Sequence, residues 1–197
     1  TVRTLVKLAF QDLGQGITCV ETHFHRPGLA SCHLLQAGDQ AAFIDTGTAY
    51  TVPSIMQLLA HKGIQPQQVR YVIPTHVHLD HAGGAGQLMQ QFPAAQLVIH
   101  PFGARHMIDP TKLAAGATAV YGEAKFANDY GELLPVDETR VRTVEDGETI
   151  DFNGRPLLCL DTPGHARHHI CIWDQQSRGF FTGDTFGIAY RELYTEL

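Results

Sequence analysis

The sequence predicts an α+β protein that folds as one domain over residues 1–197, with strands at its centre and helices outside them. Three observations favour this class. The chain has 197 residues, of which 44% are hydrophobic and 17% are charged, as in globular proteins with one sizeable core. Segments patterned as strands occur before and after a mostly helical stretch. The sequence shows no internal repeat, linker or low-complexity segment that would divide it.

The first part of the chain predicts an antiparallel β meander. Residues 5–10 and 17–25 are patterned as strands, and Gly14-Gln15-Gly16 separates them. A second hairpin is predicted from residues 31–36 and 40–44, around Gly38-Asp39. The meander ends at Asp45, which places a carboxylate at a strand terminus.

A helix and a buried strand are predicted next. Thr51 is the expected helix cap, Pro53 lies near the start, and Lys62-Gly63 form a cationic last turn and a glycine C-cap. The apolar side of this helix is predicted to be core. Residues 69–73 are β-branched and aromatic and predict a buried strand that ends before Pro74.

The remaining elements follow in a simple order. A helix is predicted at 86–92 and a strand at 96–100. Residues 101–136 are Ala-rich and predict an insertion of two or three short helices, interrupted at Gly116, Gly122 and Gly131. Such an insertion is either a lid over a site or a structural elaboration. Strand patterns return at 148–152, 155–161, 169–173 and 179–182.

Charge and hydropathy exclude several partners. The formal net charge is −6 and no Lys/Arg run occurs, so we expect no nucleic-acid partner. The apolar runs are too short to cross a bilayer and no signal peptide opens the chain, so we expect no membrane partner. Because Thr1 is not a methionine, a processed or trimmed start remains open. We expect a small-molecule substrate and a cytoplasmic protein, and leave open whether it forms a homodimer.

The four cysteines occur singly inside strand-like segments, without a C-x-x-C motif. We interpret Cys19, Cys32, Cys159 and Cys171 as free thiols of a reducing compartment. A disulfide between Cys159 and Cys171 is the alternative.

The segment Thr75-His76-Val77-His78-Leu79-Asp80-His81 carries the strongest chemical signal. Imidazole and carboxylate are ligands of zinc, iron and manganese. His76 and His78 are two residues apart, so an extended backbone directs both to one side, and Asp80 and His81 follow in a turn. The small residues at 82–86 let the next helix begin close to the strand end. Four such ligands could reach two neighbouring metal sites.

Two later segments place further ligands after strands. His165 follows a strand in Thr162-Pro163-Gly164-His165, and Asp184 follows another in Thr182-Gly183-Asp184. Loops that follow strands are where scaffolds commonly place functional groups.

Taken in order, Asp45, T-H-V-H-L-D-H, T-P-G-H-A and T-G-D resemble the successive motifs of the metallo-β-lactamase superfamily, over about residues 42–185. The resemblance implies a four-layer αβ/βα sandwich with a dinuclear site at one edge of its two sheets. It implies two divalent metal ions, zinc first, with iron or manganese as alternatives. His76, His78 and His165 would bind the first metal, Asp80 and His81 the second, and Asp184 would bridge both. Asp45 resembles the residue that orients the His-rich loop.

One ligand of that family has no counterpart here. The family places a further histidine for the second metal downstream of the bridging aspartate, but this chain has no histidine after Asp184. The last strands and helix of the second half are also missing. We therefore expect the second half of the fold to be incomplete and the native protein to continue beyond Leu197, where the histidine would lie. Without it, the second metal would bind weakly.

The resemblance implies a hydrolase. A metal-bound water is acidified from a pKa of 15.7 to about 7, and the resulting hydroxide, held by Asp80 and Asp184, would attack an ester, thioester, lactone or related bond. Asp80-His81 resembles the glyoxalase II, lactonase and ribonuclease Z branch rather than the lactamases with a cysteine ligand. Two alternatives stay open: an iron persulfide-dioxygenase-like enzyme with one metal, and a non-catalytic or redox module of the same fold, against which His78 speaks.

The other candidate residues receive weaker interpretations. Tyr190 is a candidate to contact substrate. His23 and His25 are interpreted as facing out of a hairpin, with the tip at 26–28 as a flap over the site. A minor ligand role is kept for His168 or His169. The remaining histidines are interpreted as structural: His33, His61, His100 and His106.

Overall fold

The computed structural model describes residues 8–186, and the remaining residues at both ends lie outside this description. Its larger sheet has seven strands that follow one another in chain order. The first four pair antiparallel and the last four pair parallel, with β4 common to both groups. The strands are β1 Phe10–Gly14, β2 Ile17–Glu21, β3 Ser31–Ala37, β4 Gln40–Ile44, β5 Val69–Ile73, β6 Gln96–Ile99 and β7 Val141–Thr143.

The smaller sheet has four antiparallel strands in the order β11-β10-β9-β8. It comprises β8 Thr149–Phe152, β9 Arg155–Asp161, β10 Ile170–Asp174 and β11 Gly179–Phe181.

Six α-helices occur in residues 8–186, and all of them lie in the connections between the parallel strands β4, β5, β6 and β7. They are α1 Val52–Lys62, α2 Leu79–Ala82, α3 Ala85–Gln91, α4 Pro101–Ile108, α5 Thr111–Tyr121 and α6 Glu123–Asp129. The insertion is therefore three helices, as its pattern allowed. None of the helices in the described range is long and apolar enough to span a bilayer.

Two hydrophobic cores lie on opposite faces of the larger sheet, because successive side chains of a strand point to opposite faces. On β4, Ala41 and Phe43 join the core under the helices, where Ile55 of α1 and Leu88 of α3 are buried. Ala42 and Ile44 join the other core. That second core also contains the buried side chains of the smaller sheet, including Ile150, Phe152, Leu157 and Ile172.

The layers are thus helices, seven strands and four strands. This arrangement is the sandwich of two sheets that the motifs predict. Within residues 8–186 no α-helix follows α6, so the outer helical layer expected for the second half has no counterpart there.

Most predicted elements are confirmed, and five details need correction. β1 covers Phe10–Gly14 rather than ending at residue 10, and residues 5–7 of the predicted strand lie outside the described part of the chain. β2 ends at Glu21 rather than residue 25. The strand β7 was not predicted. Asp80 and His81 lie in the one-turn helix α2 rather than in an irregular turn, and Gly116 lies inside α5 rather than interrupting it.

Helix α1 shows why local prediction succeeds. Thr51 is its N-cap residue, and Pro53 lies in its first turn. Gly63 ends the helix with φ of 69°, a left-handed conformation in which a side chain would be strained. The Thr51 hydroxyl does not cap the helix; it donates to the carbonyl of Thr22 at 3.3 Å.

Candidate metal centre

The His-rich segment lies at the carboxyl end of β5, beside the end of β4 that carries Asp45. These two strands are parallel, so their carboxyl ends meet at one edge of the sheet. His78 precedes α2 with an extended backbone, and α2 then carries Asp80 and His81. His76 and His81 are buried, whereas His78 is exposed, so the segment lies at the boundary between the protein interior and the solvent.

His76, His78 and His165 bring three ring nitrogens together. Nε2 of His76 lies 3.1 Å from Nδ1 of His78. The same Nδ1 lies 2.9 Å from Nε2 of His165, which is 87 residues away in sequence. These atoms form a group in which all ligand atoms lie within 4.8 Å of one another.

A second group forms beside the first. Nε2 of His81 lies 3.1 Å from Oδ1 of Asp184 and 3.7 Å from Oδ2 of Asp80. Oδ2 of Asp184 lies 3.4 Å from Nε2 of His165. The Asp184 carboxylate therefore stands between the two groups, with one oxygen near each.

Asp45 contacts both His81 and Thr75, the residue before His76. Its Oδ2 lies 2.8 Å from Nδ1 of His81, and its Oδ1 accepts hydrogen bonds from the backbone N–H of Thr75 at 2.7 Å and from the Thr75 hydroxyl at 2.9 Å. Asp45 is buried and has φ of 58°, a conformation that aspartate tolerates better than most residues. The role expected for Asp45 therefore has a geometric basis.

The hydrogen bonds of Thr75 determine how His76 is oriented. The Thr75 hydroxyl donates its one hydrogen to Asp45, so it can only accept from Nδ1 of His76, 3.0 Å away. Nε2 of a neutral His76 then carries a lone pair directed at His78. The chain itself therefore presents the nitrogen that a metal needs.

The protonation of the histidines agrees with a cation site. Burial, together with the neighbouring histidines, lowers the pKa of His76 far below its ordinary value, and burial lowers the pKa of His78. Neutral imidazoles as close as those of His76 and His78 bring nitrogen lone pairs together, and a cation bound between them would accept these lone pairs. Burial alone would lower the pKa of His81, but Asp45 and Asp184 outweigh it and raise the pKa to about 11. A positive charge is therefore stabilised at the second group too, and the donor set fits divalent metal ions.

His169, for which the sequence indicates only a minor option as a metal ligand, has a different role in the structure. It is fully buried, and its Nε2 accepts a hydrogen bond from the backbone N–H of Asp184 at 3.1 Å. Its Nδ1 lies 2.8 Å from the Thr162 hydroxyl. Burial lowers the pKa of His169 to about 4, so the ring is neutral and can accept at Nε2. His169 therefore positions Asp184 rather than joining either group.

Gly183 allows the Asp184 loop to come this close. Its φ is 48°, and a Cβ built on it would lie 2.6 Å from the Thr75 hydroxyl and 2.7 Å from Nε2 of His169. Those distances leave no room for a side chain.

A cavity of about 470 Å³ opens beside the first group. His78 and His165 form one part of its wall, α4 contributes Phe102 and Arg105, and the loop after β9 contributes Arg167 and His168. The helical insertion therefore borders the site through α4. The lid function itself stays a prediction.

Where the structure describes them, the other predicted residues do not join either group of donors. Tyr190 falls outside the described residues. Nε2 of His25 lies 3.7 Å from Oδ2 of Asp129 at the end of α6, and the flap at 26–28 stays a prediction. Nδ1 of His168 accepts from the backbone N–H of Val77 at 3.3 Å. Nδ1 of His100 accepts from the N–H of Phe102 at 3.0 Å, in keeping with a structural role.

All four cysteines have free thiols, so the alternative disulfide between Cys159 and Cys171 does not form. Cys32, Cys159 and Cys171 are buried, and Cys19 is half-buried. Burial raises the pKa of Cys159 to about 12, so this thiol stays protonated.

Comparisons with known proteins agree with the fold and the motifs. Residues 25–196 match the metallo-beta-lactamase superfamily. The chain is 26% identical to the acyl-coenzyme A thioesterase MBLAC2 of Homo sapiens over 89% of its length, and 31% identical to a hydroxyacylglutathione hydrolase of Synechococcus sp. over 72%. It spans 65% and 45% of those two proteins, respectively. A metallo-beta-lactamase structure from Cronobacter sakazakii superimposes with a TM-score of 0.62 at 23% identity, covering 83% of this chain and 58% of that one.

The fold and the ordered motifs therefore define a protein with a metallo-β-lactamase sandwich and a metal-type donor set at its edge. The chain belongs to the metallo-beta-lactamase superfamily. The solved structure, at this identity, supports the fold alone.

Proposed function

We propose that this protein is a metal-dependent hydrolase whose centre holds two divalent metal ions and which cleaves a thioester or a related ester or lactone bond of a small molecule. One observation carries the proposal: the Asp184 carboxylate places its two oxygens beside two separate groups of donors, 3.1 Å from His81 and 3.4 Å from His165. A single ion would not require this arrangement.

The donors divide between the two ions as follows. Nε2 of His76, Nδ1 of His78 and Nε2 of His165 would hold the first. Asp80 and Nε2 of His81 would hold the second, with Asp184 shared. Nitrogen and carboxylate oxygen ligands suit zinc, and also iron or manganese, so zinc is proposed first.

The metals would supply an acidified water and polarise the carbonyl of the substrate. The side chains of the protein orient the attacking water and the metal ligands. The carboxylates of Asp80 and Asp184 accept hydrogen bonds from the attacking water and direct it, while Asp45 fixes Nδ1 of His81. The cavity beside His78 and His165 receives the rest of the substrate.

Thiol chemistry does not compete for this role. Burial raises the pKa of all four cysteines, so none provides a ready thiolate. A thioester is the favoured bond because the relative MBLAC2 is named as an acyl-coenzyme A thioesterase. The four free thiols also support the proposed cytoplasmic location, since disulfides are rare in that compartment.

The test combines metal analysis with hydrolysis. Full-length protein is loaded with zinc, manganese or iron, its metal content is measured by mass spectrometry, and acetyl thioester, ester and lactone panels are assayed. We expect two metals per chain and hydrolysis of a thioester. His78→Ala should lose the first metal and lower kcat/KM by at least about 100-fold, whereas His61→Ala, on the exposed side of α1, serves as the matched control.

Three results would overturn the proposal. One is an unchanged metal content in His78→Ala. Another is a single iron per chain with oxygen consumption, which would indicate the oxygenase alternative. The third is no hydrolysis in any panel with any of the three metals.

A further inference from the structure

The cavity beside the first donor group has a positively charged wall. Its lining includes Arg105 from α4 and Arg167 from the loop after β9, together with His78 and His165. Its volume of about 470 Å³ lies in the range of small-molecule sites. No acidic side chain of residues 8–186 lines it. The wall is therefore basic in a protein whose formal net charge is −6.

The two arginines lack the carboxylate partners that arginines usually have. Arg142 and Arg155, by contrast, pair with Glu148 and Asp174. Within the described residues, no carboxylate lies within ion-pair distance of Arg105 or Arg167. Nε of Arg105 donates to Nε2 of His106 at 3.3 Å, and its terminal nitrogens remain available.

We propose that Arg105 and Arg167 bind an anionic group of the substrate, a carboxylate or a phosphate, so that the bond to be cleaved lies on the His78 and His165 side of the cavity. The nature of that bond rests on the proposed function. Planar guanidinium groups bind both anions through paired hydrogen bonds. Phe102, which is 61% exposed beside them, offers an apolar surface to the carbon chain between anion and reactive bond.

The experiment compares three acetyl thioesters that differ only in the thiol. N-acetylcysteamine is neutral, 3-mercaptopropionate carries a carboxylate, and 4′-phosphopantetheine carries a phosphate. The measured quantity is the preference, the ratio of kcat/KM for an anionic thioester to that for the neutral one. The metal-loaded full-length protein is compared with Arg105→Gln, Arg167→Gln and the double variant. Arg70→Gln is the control, since Arg70 is exposed at the start of β5, away from the metal end.

We expect the wild type to have a higher kcat/KM on one of the two anionic thioesters than on the neutral one. The comparison of the carboxylate thioester with the phosphate thioester then identifies the anion that is bound. Each single variant should lower this preference roughly tenfold or more, as expected for loss of a charged hydrogen bond. The preference should also fall with added salt, which screens the attraction. Arg70→Gln should keep the wild-type preference.

An equal kcat/KM on all three thioesters, or the same loss in Arg70→Gln, would overturn the anion site while leaving the hydrolase intact. If the wild type hydrolyses none of them, the proposed function fails and calorimetry decides the anion site separately. The titrants are then the S-ethyl thioethers of the three thiols. Binding of an anionic thioether that the double variant loses supports the site, and equal binding of all three overturns it.

Discussion

Oδ2 of Asp45 lies 2.8 Å from Nδ1 of His81, and this contact joins the end of β4 to α2, the one-turn helix at the end of the His-rich segment. The other oxygen of Asp45 accepts from Thr75, which in turn orients His76. One carboxylate therefore determines the orientation of a histidine in each donor group.

Replacing Asp45 with asparagine tests this relationship. An amide cannot accept hydrogen bonds at both ends, so either Thr75 or His81 loses its partner. We expect metal affinity to fall by roughly 10- to 100-fold, as for other residues that support metal ligands. Competition with a chromogenic chelator measures the affinity, and Asp39→Asn in the β3–β4 turn is the control. An affinity equal to wild type would show that Asp45 does not orient the ligands.

His169 supports the other side of the centre through the backbone N–H of Asp184. His169→Ala leaves this N–H without its acceptor and should loosen Asp184. We expect the second metal to be lost before the first, while His169→Gln, whose amide oxygen can accept, should restore part of the binding. Metal content at increasing chelator concentration separates the two ions. Equal loss of both metals, or no rescue by glutamine, would argue for a purely structural role.

The elements that the sequence predicts well are those governed by local chemistry. Strand β5 combines high β propensity with a following proline, and α1 combines Pro53 with Gly63, so both are predicted close to their observed bounds. Strand β1 was misplaced because four of its five residues are exposed and show no apolar alternation. Strand β7 has only three residues, too few for a periodic pattern.

The candidate site also contains residues that the sequence predicts and residues whose roles depend on contacts between distant parts of the chain. The spacing of His76, His78, Asp80 and His81 is visible in one stretch of chain, whereas His165 and Asp184 were recognised through the order of the motifs. The role of His169 depends on a contact with Asp184, 15 residues later, and no local pattern encodes it. The cavity wall likewise combines α4 with a loop that lies about 60 residues further along the chain.

Gly183 provides a prediction about close packing. Gly183→Ala must adopt a φ of 48° and place its Cβ against Thr75 and His169. Gly154→Ala is the matched control, because its φ is 81° but no atom lies within 4 Å of the new Cβ. We expect Gly154→Ala to lower the free energy of unfolding by about 1–2 kcal/mol from backbone strain alone. Gly183→Ala should cost more and also weaken metal binding. Urea unfolding measures the stability and chelator titration measures the metal affinity. If both variants lose the same free energy of unfolding, the close approach of the new Cβ at position 183 to Thr75 and His169 must be relieved by small movements of the neighbouring residues, and the prediction is wrong.

Arg155 of β9 is buried, pairs with Asp174 of β10 within the smaller sheet and also reaches the larger sheet. Nε of Arg155 donates to Oδ1 of Asp174 at 3.0 Å. Its Nη1 donates to the carbonyl of Gln15 in the β1–β2 turn and to that of Gln36 in β3. Asp174→Asn would leave the Arg155 charge buried without its counter-ion. We expect a loss of about 3–5 kcal/mol in the free energy of unfolding, measured in urea at pH 7.

The same pair predicts how stability depends on pH. Burial alone would raise the pKa of Asp174, but hydrogen bonds from Arg155 and Ser177 outweigh it and hold the pKa below its ordinary value of 3.8. The unfolded chain therefore takes up this proton at a higher pH than the folded chain does. The stabilisation by Asp174 is complete above about pH 5 and is lost as the pH falls from there through the lowered pKa. Urea unfolding at a series of pH values from 7 to 3 should show a steeper loss of stability in wild type than in Asp174→Asn. Asp12→Asn is the control, because the Asp12 carboxylate is exposed and water screens its pair with Lys62, so this variant should keep most of the wild-type slope. Parallel pH profiles of wild type and Asp174→Asn would contradict the prediction.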